Sequence, residues 1–320
     1  MTLFHRWSRP ILGLLVCAAI FAWPAREASA ATSCTATMSP LNFGSVDLVA
    51  GGTFETSATL DYTCTNNDND VAYTRVCFNL GNGSASQAAQ PGGAFDPRLL
   101  SFGSNLMQVR FYQAGTALIW GSTSQVVSNA YDVRVGPIPR RSGGSNGVVT
   151  GQYTLRGVIS SGQASLPAGT YTSSFTGNHT NVRSTPAATN AGNVPDDCAA
   201  ATQGSDDFGF NVTATVMNSC QVTANTLNFG AVDGIASATA INAQSTINIT
   251  CSSQTPYKVM LLPLNNNSST GAGLMKGDTS GNTDTVPYQL YRNSGRTQVW
   301  GNVVDTNNTT GTGNGAAQQM

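Results

Sequence analysis

Apolar and polar residues alternate with period two along much of the chain. Thr246-Ile247-Asn248-Ile249-Thr250-Cys251, Gln152-Tyr153-Thr154-Leu155-Arg156-Gly157-Val158 and Phe208-Gly209-Phe210-Asn211-Val212-Thr213-Ala214-Thr215-Val216 read as strands with one face in a core and the other in water. Val109-Arg110-Phe111-Tyr112, a turn at Gly115 and Leu118-Ile119-Trp120-Gly121 form a predicted hairpin. Tyr288-Gln289-Leu290-Tyr291, Gly295 and Gln298-Val299-Trp300-Gly301 form a second. The Asn- and Gly-rich segments at 81–94 and 265–284 read as loops.

The pattern is also a repeat. Cys34-Thr35-Ala36-Thr37-Met38-Ser39-Pro40-Leu41-Asn42-Phe43-Gly44-Ser45-Val46-Asp47 aligns with Cys220-Gln221-Val222-Thr223-Ala224-Asn225-Thr226-Leu227-Asn228-Phe229-Gly230-Ala231-Val232-Asp233. In each copy a following strand ends on a second cysteine, Cys64 or Cys251. Six cysteines allow fifteen pairings. The repeat selects Cys34–Cys64 and Cys220–Cys251, each tying a first strand to a second, and leaves Cys77 and Cys198 for each other.

Composition narrows the class. Only 10% of residues are charged, against roughly 25% in ordinary soluble domains. Glu stands only at Glu27 and Glu55 and Lys only at Lys258 and Lys276, while there are 34 glycines. A helical bundle, coiled coil or doubly wound α/β enzyme would need Glu and Lys on its exposed helix faces. The reading is an all-β protein of two tandem immunoglobulin-like β-sandwich domains, 31–218 and 219–320.

His5, Arg6 and Arg9, the apolar run Ile11 to Ala22 and the small residues Ala28-Ser29-Ala30 have the order of a secretory signal, with cleavage expected between Ala30 and Ala31. The run is too short for a membrane span. Cleavage removes Cys17, leaving an even set of cysteines suited to an oxidising compartment. It also removes Arg6, Arg9, Arg26 and Glu27, so no basic footprint for nucleic acid or an anionic membrane remains.

Cys-x₆-Leu-Asn-Phe-Gly, the strand ending in Cys, the Tyr-x-Leu-Tyr hairpin, the Trp-Gly pairs and Pro167-Ala168-Gly169-Thr170-Tyr171 together resemble the spore coat protein U domain from Cys34 to the end of the chain. That family builds the subunits of archaic (Csu-type) chaperone-usher pili. The resemblance implies a sandwich lacking its last strand, filled by the next subunit's N-terminal extension. Its implied partners are a periplasmic pilus chaperone, an outer-membrane usher, a neighbouring pilin subunit and an abiotic or host surface. Only Ala31-Thr32-Ser33 precede Cys34, too short a segment to donate a strand. The chain is therefore expected to resemble the two-domain tip adhesin, at the cell surface on the pilus tip, with 31–218 as the adhesive domain and 219–320 as the pilin domain. A structural spore-coat or filament (shaft) component is the alternative. After Trp300 the second copy ends near the point matching Gln152, so it is expected to be incomplete at its C-terminus.

If every connection in the first domain reverses direction, loops 65–70, 113–115, 136–147 and 178–206 fall at the pole away from the second domain, and Leu48–Gly52 at the near pole. Pro137, Ile138, Pro139, Val182, Pro186 and Val194 are then the surface-binding candidates, with Cys198 fastening the insertion to the sandwich. A long crossover would instead bring in Leu48, Val49, Phe95, Leu99 and Leu100. No enzyme activity, metal or cofactor is expected. His179 is the single histidine after residue 30, and Gly143-Gly144-Ser145-Asn146-Gly147 has the letters of a nucleophile elbow without its strand and helix. Asp196-Asp197 and Asp206-Asp207 lack calcium-loop spacing.

Overall fold

The structure, a computed structural model, describes residues 32–85, 96–122, 130–233, 240–264 and 269–320; the signal segment with Ala30 and Ala31, and Phe95, lie outside them. No α-helix occurs among the described residues, and the fold is two successive β-sandwich units.

The first unit holds β1 (Thr32–Met38), β2 (Leu41–Val46), β3 (Phe54–Asn66), β4 (Ala72–Leu80), β5 (Arg98–Phe102), β6 (Asn105–Gln113), β7 (Tyr131–Ile138), β8 (Gly147–Ile159), β9 (Gly169–Phe175), β10 (Thr180–Ser184), β11 (Gln203–Asp206) and β12 (Phe210–Val216). One sheet runs β1-β3-β8-β6-β5-β9-β12-β2 and the facing sheet runs β11-β10-β4-β7. Alternation decides which side chains meet. Leu60, Tyr62 and Cys64 of β3 and Val76, Phe78 and Leu80 of β4 all point into one core. Trp120 is fully buried there; its indole N–H donates to the Phe78 carbonyl at 2.8 Å, and Phe208 stacks on it with centroids 6.2 Å apart.

One buried charge sits among these apolar groups. Arg98, at 0% exposure, donates from Nε to the Gly81 carbonyl at 2.6 Å and from Nη2 to those of Leu80 and Trp120 at 2.8 and 2.5 Å. Burial pushes the guanidinium pKa down to about 9, and the Asp96 carboxylate pulls it partly back. Arg98 thus satisfies carbonyls where β4 ends and the Trp120 hairpin closes.

The second unit holds β13 (Cys220–Ala224), β14 (Ile247–Cys251), β15 (Pro256–Val259), β16 (Ala272–Lys276), β17 (Thr285–Gln289), β18 (Thr309–Thr312) and β19 (Ala317–Gln319). It repeats the first unit's construction. Cys220 faces Cys251 across β13 and β14 as Cys34 faces Cys64 across β1 and β3. Trp300 donates its indole N–H to Val259 as Trp120 does to Phe78. Against β14, β19 takes the place that the start of β8 takes against β3.

The units differ in closure. Among the described residues of the second, the buried hydrophobic side chains are Ile249, Cys251 and Trp300, while Val222, Met260, Leu262, Leu264 and Val304 are all at least 46% exposed. Residues 219–320 run only to the counterpart of Gln152 in β8 and, among the described residues, contain nothing equivalent to β9 through β12. One consequence is at the edge of the large sheet. In the first unit β12 inserts between β9, antiparallel, and β2, parallel, and β12 is the one strand to which β2 pairs among the described residues. Leu41 and Val46 are fully buried as a result. The matching Leu227–Val232 has the same local turn, since Asn228 accepts from the Gly230 N–H at 2.8 Å as Asn42 does from Gly44. It has no strand partner among the described residues, is not a strand, and leaves Leu227 and Val232 half-exposed.

Candidate functional site

The loops at the end of the first unit away from the second form one cluster. Asn66 ends β3 opposite Gly147 at the start of β8. Its buried Nδ2 donates to the Asp70 and Pro139 carbonyls at 2.8 and 3.1 Å, and the Arg141 N–H donates to the Asp68 carbonyl at 2.7 Å. Loops 67–71 and 139–146 are therefore fastened together through backbone carbonyls. A Cβ on Gly147 would lie 1.7 Å from the Pro139 oxygen, so glycine is what lets the two strands close here. Pro186 joins the same end, because the Tyr73 and Ala188 backbones exchange hydrogen bonds of 2.8 Å.

The predicted surface residues divide. Pro137, Pro139 and Pro186 are exposed. Ile138 at 0%, Val182 at 1% and Val194 at 4% are buried and correct the expectation that they meet a ligand. Ile138 and Val182 sit on inward positions of β7 and β10, where period-two alternation sends them into the main core. Val194 is covered for a different reason. Residues 185–202 do not project as a finger; they fold back over the outer face of β4 and β7. Cys198 bonds to Cys77 there, Arg75 Nε donates to the Pro195 carbonyl at 2.7 Å, and Arg134 Nη2 reaches the Val194 carbonyl at 3.3 Å and Asp196 at 2.7 Å. The insertion is a strap on the sheet.

Loop 113–115 leaves the cluster too. The Ala114 N–H donates to Thr154, well along β8 from its distal end at Gly147. In exchange, the structure brings in Val71 and Val148, 41% and 49% exposed. Val148 had a signal in the sequence: of the adjacent apolar pair Val148-Val149 on a strand, one must face out. Of the residues at stake in the long-crossover alternative, Leu48 and Leu100 are buried.

The catalytic look-alikes resolve into local structure. Gly143 and Gly144, at φ +59° and +85°, are the corner of a tight turn in which Ser142 and Ser145 exchange backbone hydrogen bonds of 3.0 Å. Ser145 stands in a hairpin turn, not a strand-to-helix elbow. His179 accepts the Gly83 N–H at 3.3 Å through Nδ1. The four aspartates are engaged separately: Asp196 by Arg134, Asp197 by the Ala199 N–H, Asp206 by the Ala36 N–H, and Asp207 by Gly177 and Thr180. Among the described residues no three metal-ligating side chains come together.

At the opposite end the units are joined by a polar clasp. The Asp47 carboxylate accepts from the Ser219 hydroxyl at 2.7 Å and from the Val49 and Ala50 N–H groups at 3.0 and 3.1 Å. Burial raises its pKa, but these donors outweigh burial and hold the carboxyl below its usual value. Ser219 also exchanges hydrogen bonds with Ser252, and Pro167 bridges to Ser253.

The chain is thus two β-sandwich units joined by a polar clasp, with a loop cluster at the far end of the first. The chain belongs to the Spore Coat Protein U domain family, whose description matches residues 20–178 and 206–320. Among solved structures it is similar to the CsuC–CsuE chaperone–tip adhesion subunit pre-assembly complex from archaic chaperone-usher Csu pili of Acinetobacter baumannii. The match is 15% identical with TM-score 0.42 and covers 90% of this chain and 91% of that one. It is also similar to the CooA pilin subunit from enterotoxigenic Escherichia coli, at 16% identity and TM-score 0.28, covering 57% of this chain and 99% of that one. No curated protein matches the chain.

Proposed function

We propose that the protein is an exported subunit of a chaperone-usher pilus that stands at the filament tip, touches a surface through the distal loops of its first unit and takes a neighbour's strand into its second. The family match over residues 20–178 and 206–320 supports this reading, and the distal loop cluster of the first unit gives it a surface. A first unit whose sheets are filled by its own strands meets a partner through loops, here a rigid apolar set of Val71, Pro137, Pro139, Val148 and Pro186. In the second unit Leu227–Val232 repeats the Leu41–Val46 segment that β12 covers in the first, and a strand added there would supply backbone hydrogen bonds and alternate side chains together. A periplasmic chaperone would shield that face before an outer-membrane usher exchanges it for the next pilin. Each Å² of apolar area buried against an abiotic or host surface adds about 25 cal/mol before ordering costs.

The double variant Val71→Asp, Val148→Asp tests the adhesive end. Both residues are exposed, so folding should shift by less than about 1 kcal/mol while attachment to plastic falls severalfold. Unchanged attachment removes this surface from the proposal. Gold-labelled antibody confined to filament ends supports the tip, whereas label along filaments or over a coat supports the structural reading that the family's description suggests.

A further inference from the structure

The joint between the two units has the form of a strand-addition joint closed within one chain. The family match resumes at residue 206, ahead of β12, and the first match stops at 178, after β9. By that division β12 belongs to the second module, yet it is built into the first. There it lies parallel to β2 with Val212 opposite Leu41 and Val216 opposite Val46, and the Met217 N–H adds a bond of 3.2 Å to the Val46 carbonyl. Phe210, Val212, Ala214 and Val216 face inward. Met217-Asn218-Ser219 then leads to Cys220, and the hydroxyl just before that cysteine is bound by Asp47. Strand, three-residue link, hydroxyl and cysteine form one unit of recognition.

The second unit repeats this receiving edge in its sequence and local turn. Leu227-Asn228-Phe229-Gly230-Ala231-Val232-Asp233 repeats Leu41-Asn42-Phe43-Gly44-Ser45-Val46-Asp47 with one conservative change, and the Asx turn is identical. Asp233 is exposed, at the position Asp47 uses to hold Ser219. We infer that Asp233 is a binding residue for the incoming partner and accepts a hydrogen bond from a hydroxyl immediately ahead of that partner's first cysteine. The partner segment is an alternating apolar strand running parallel to 227–232, followed by three residues ending in Ser or Thr and then Cys. This rests on the strand-accepting reading of the second unit and adds its register and polar anchor. The Thr213 hydroxyl, which donates to Asn42 Oδ1 at 3.1 Å, predicts a second polar contact to Asn228.

A labelled peptide with the sequence of residues 208–219 serves as the probe for the exported chain. Binding should protect the amides of 227–233 from hydrogen exchange. Asp233→Asn in the protein, or Ser219→Ala in the peptide, should each weaken binding about tenfold, as expected for a hydrogen bond to a charged group, and together should weaken it no further. Binding that protects 227–232 but ignores both changes overturns the Asp233 assignment and leaves strand addition standing. No binding, or protection confined to other segments, overturns the strand-accepting reading itself. Asp233 is exposed, so its variant keeps the fold, and a matched melting curve verifies this.

Discussion

At the scale of the residue, the buried groups with polar duties matter most. Arg98, itself fully buried, holds the three backbone carbonyls of Leu80, Gly81 and Trp120. Arg98→Met keeps the volume but removes the guanidinium from those oxygens, and should cost the first unit about 3 kcal/mol in denaturant unfolding. Ile138→Asp and Val182→Asp put a charge into the core and should abolish folding, so lost attachment in either would report instability. Individual residues were the least legible level of the sequence. Pro137 and Ile138 are neighbours with opposite fates, because pleat parity decides burial and the β7 register against β4 shifts between Ala72 and Thr74. Arg98 carried no signal, since an arginine beside Pro97 reads as a loop residue until its three carbonyls are assembled around it.

At the scale of the element, the paired cysteines and the strands ending on them follow from the repeat, and the structure places all three bonds on the pairs it selects. The course of 185–202 did not follow from the sequence. Pro-, Ala- and Asn-rich segments lack periodicity, so nothing local distinguishes a projecting finger from a strap. The Cys77–Cys198 bond closes a loop with a sequence separation of 121. Replacing both with Ser should lower stability by about 3 to 5 kcal/mol. It should also open 186–202 to proteolysis while β3 and β8 stay protected, which limited digestion and mass spectrometry can read.

At the scale of the whole molecule, two tandem sandwiches were legible from the repeat and the lack of helix formers. The clasp between them was not, because Asp47 and Ser219 are 172 residues apart. Its carboxyl is held below the ordinary value, so the stability it gives is present above the unfolded pKa of about 3.9 and is lost as pH falls through the lower folded value. Small-angle scattering should therefore show the units loosening in acid, below about pH 4. Asp47→Ala should show the same looseness at neutral pH. A molecule equally compact in both conditions would mean that other contacts at the joint suffice.

The pairing of β2 with β12 also sets a timetable. A secreted chain crosses the membrane from its N-terminus, so Leu41–Val46 arrives in the outer compartment long before Phe210–Val216, the strand that completes it. Until about 170 further residues have followed, the first unit is an unfinished sheet with its edge in solvent, of the kind that folds slowly and associates wrongly. The unit that ends closed by its own strands thus begins its life open, and pulse-labelled export should catch β2 unprotected until β12 has emerged.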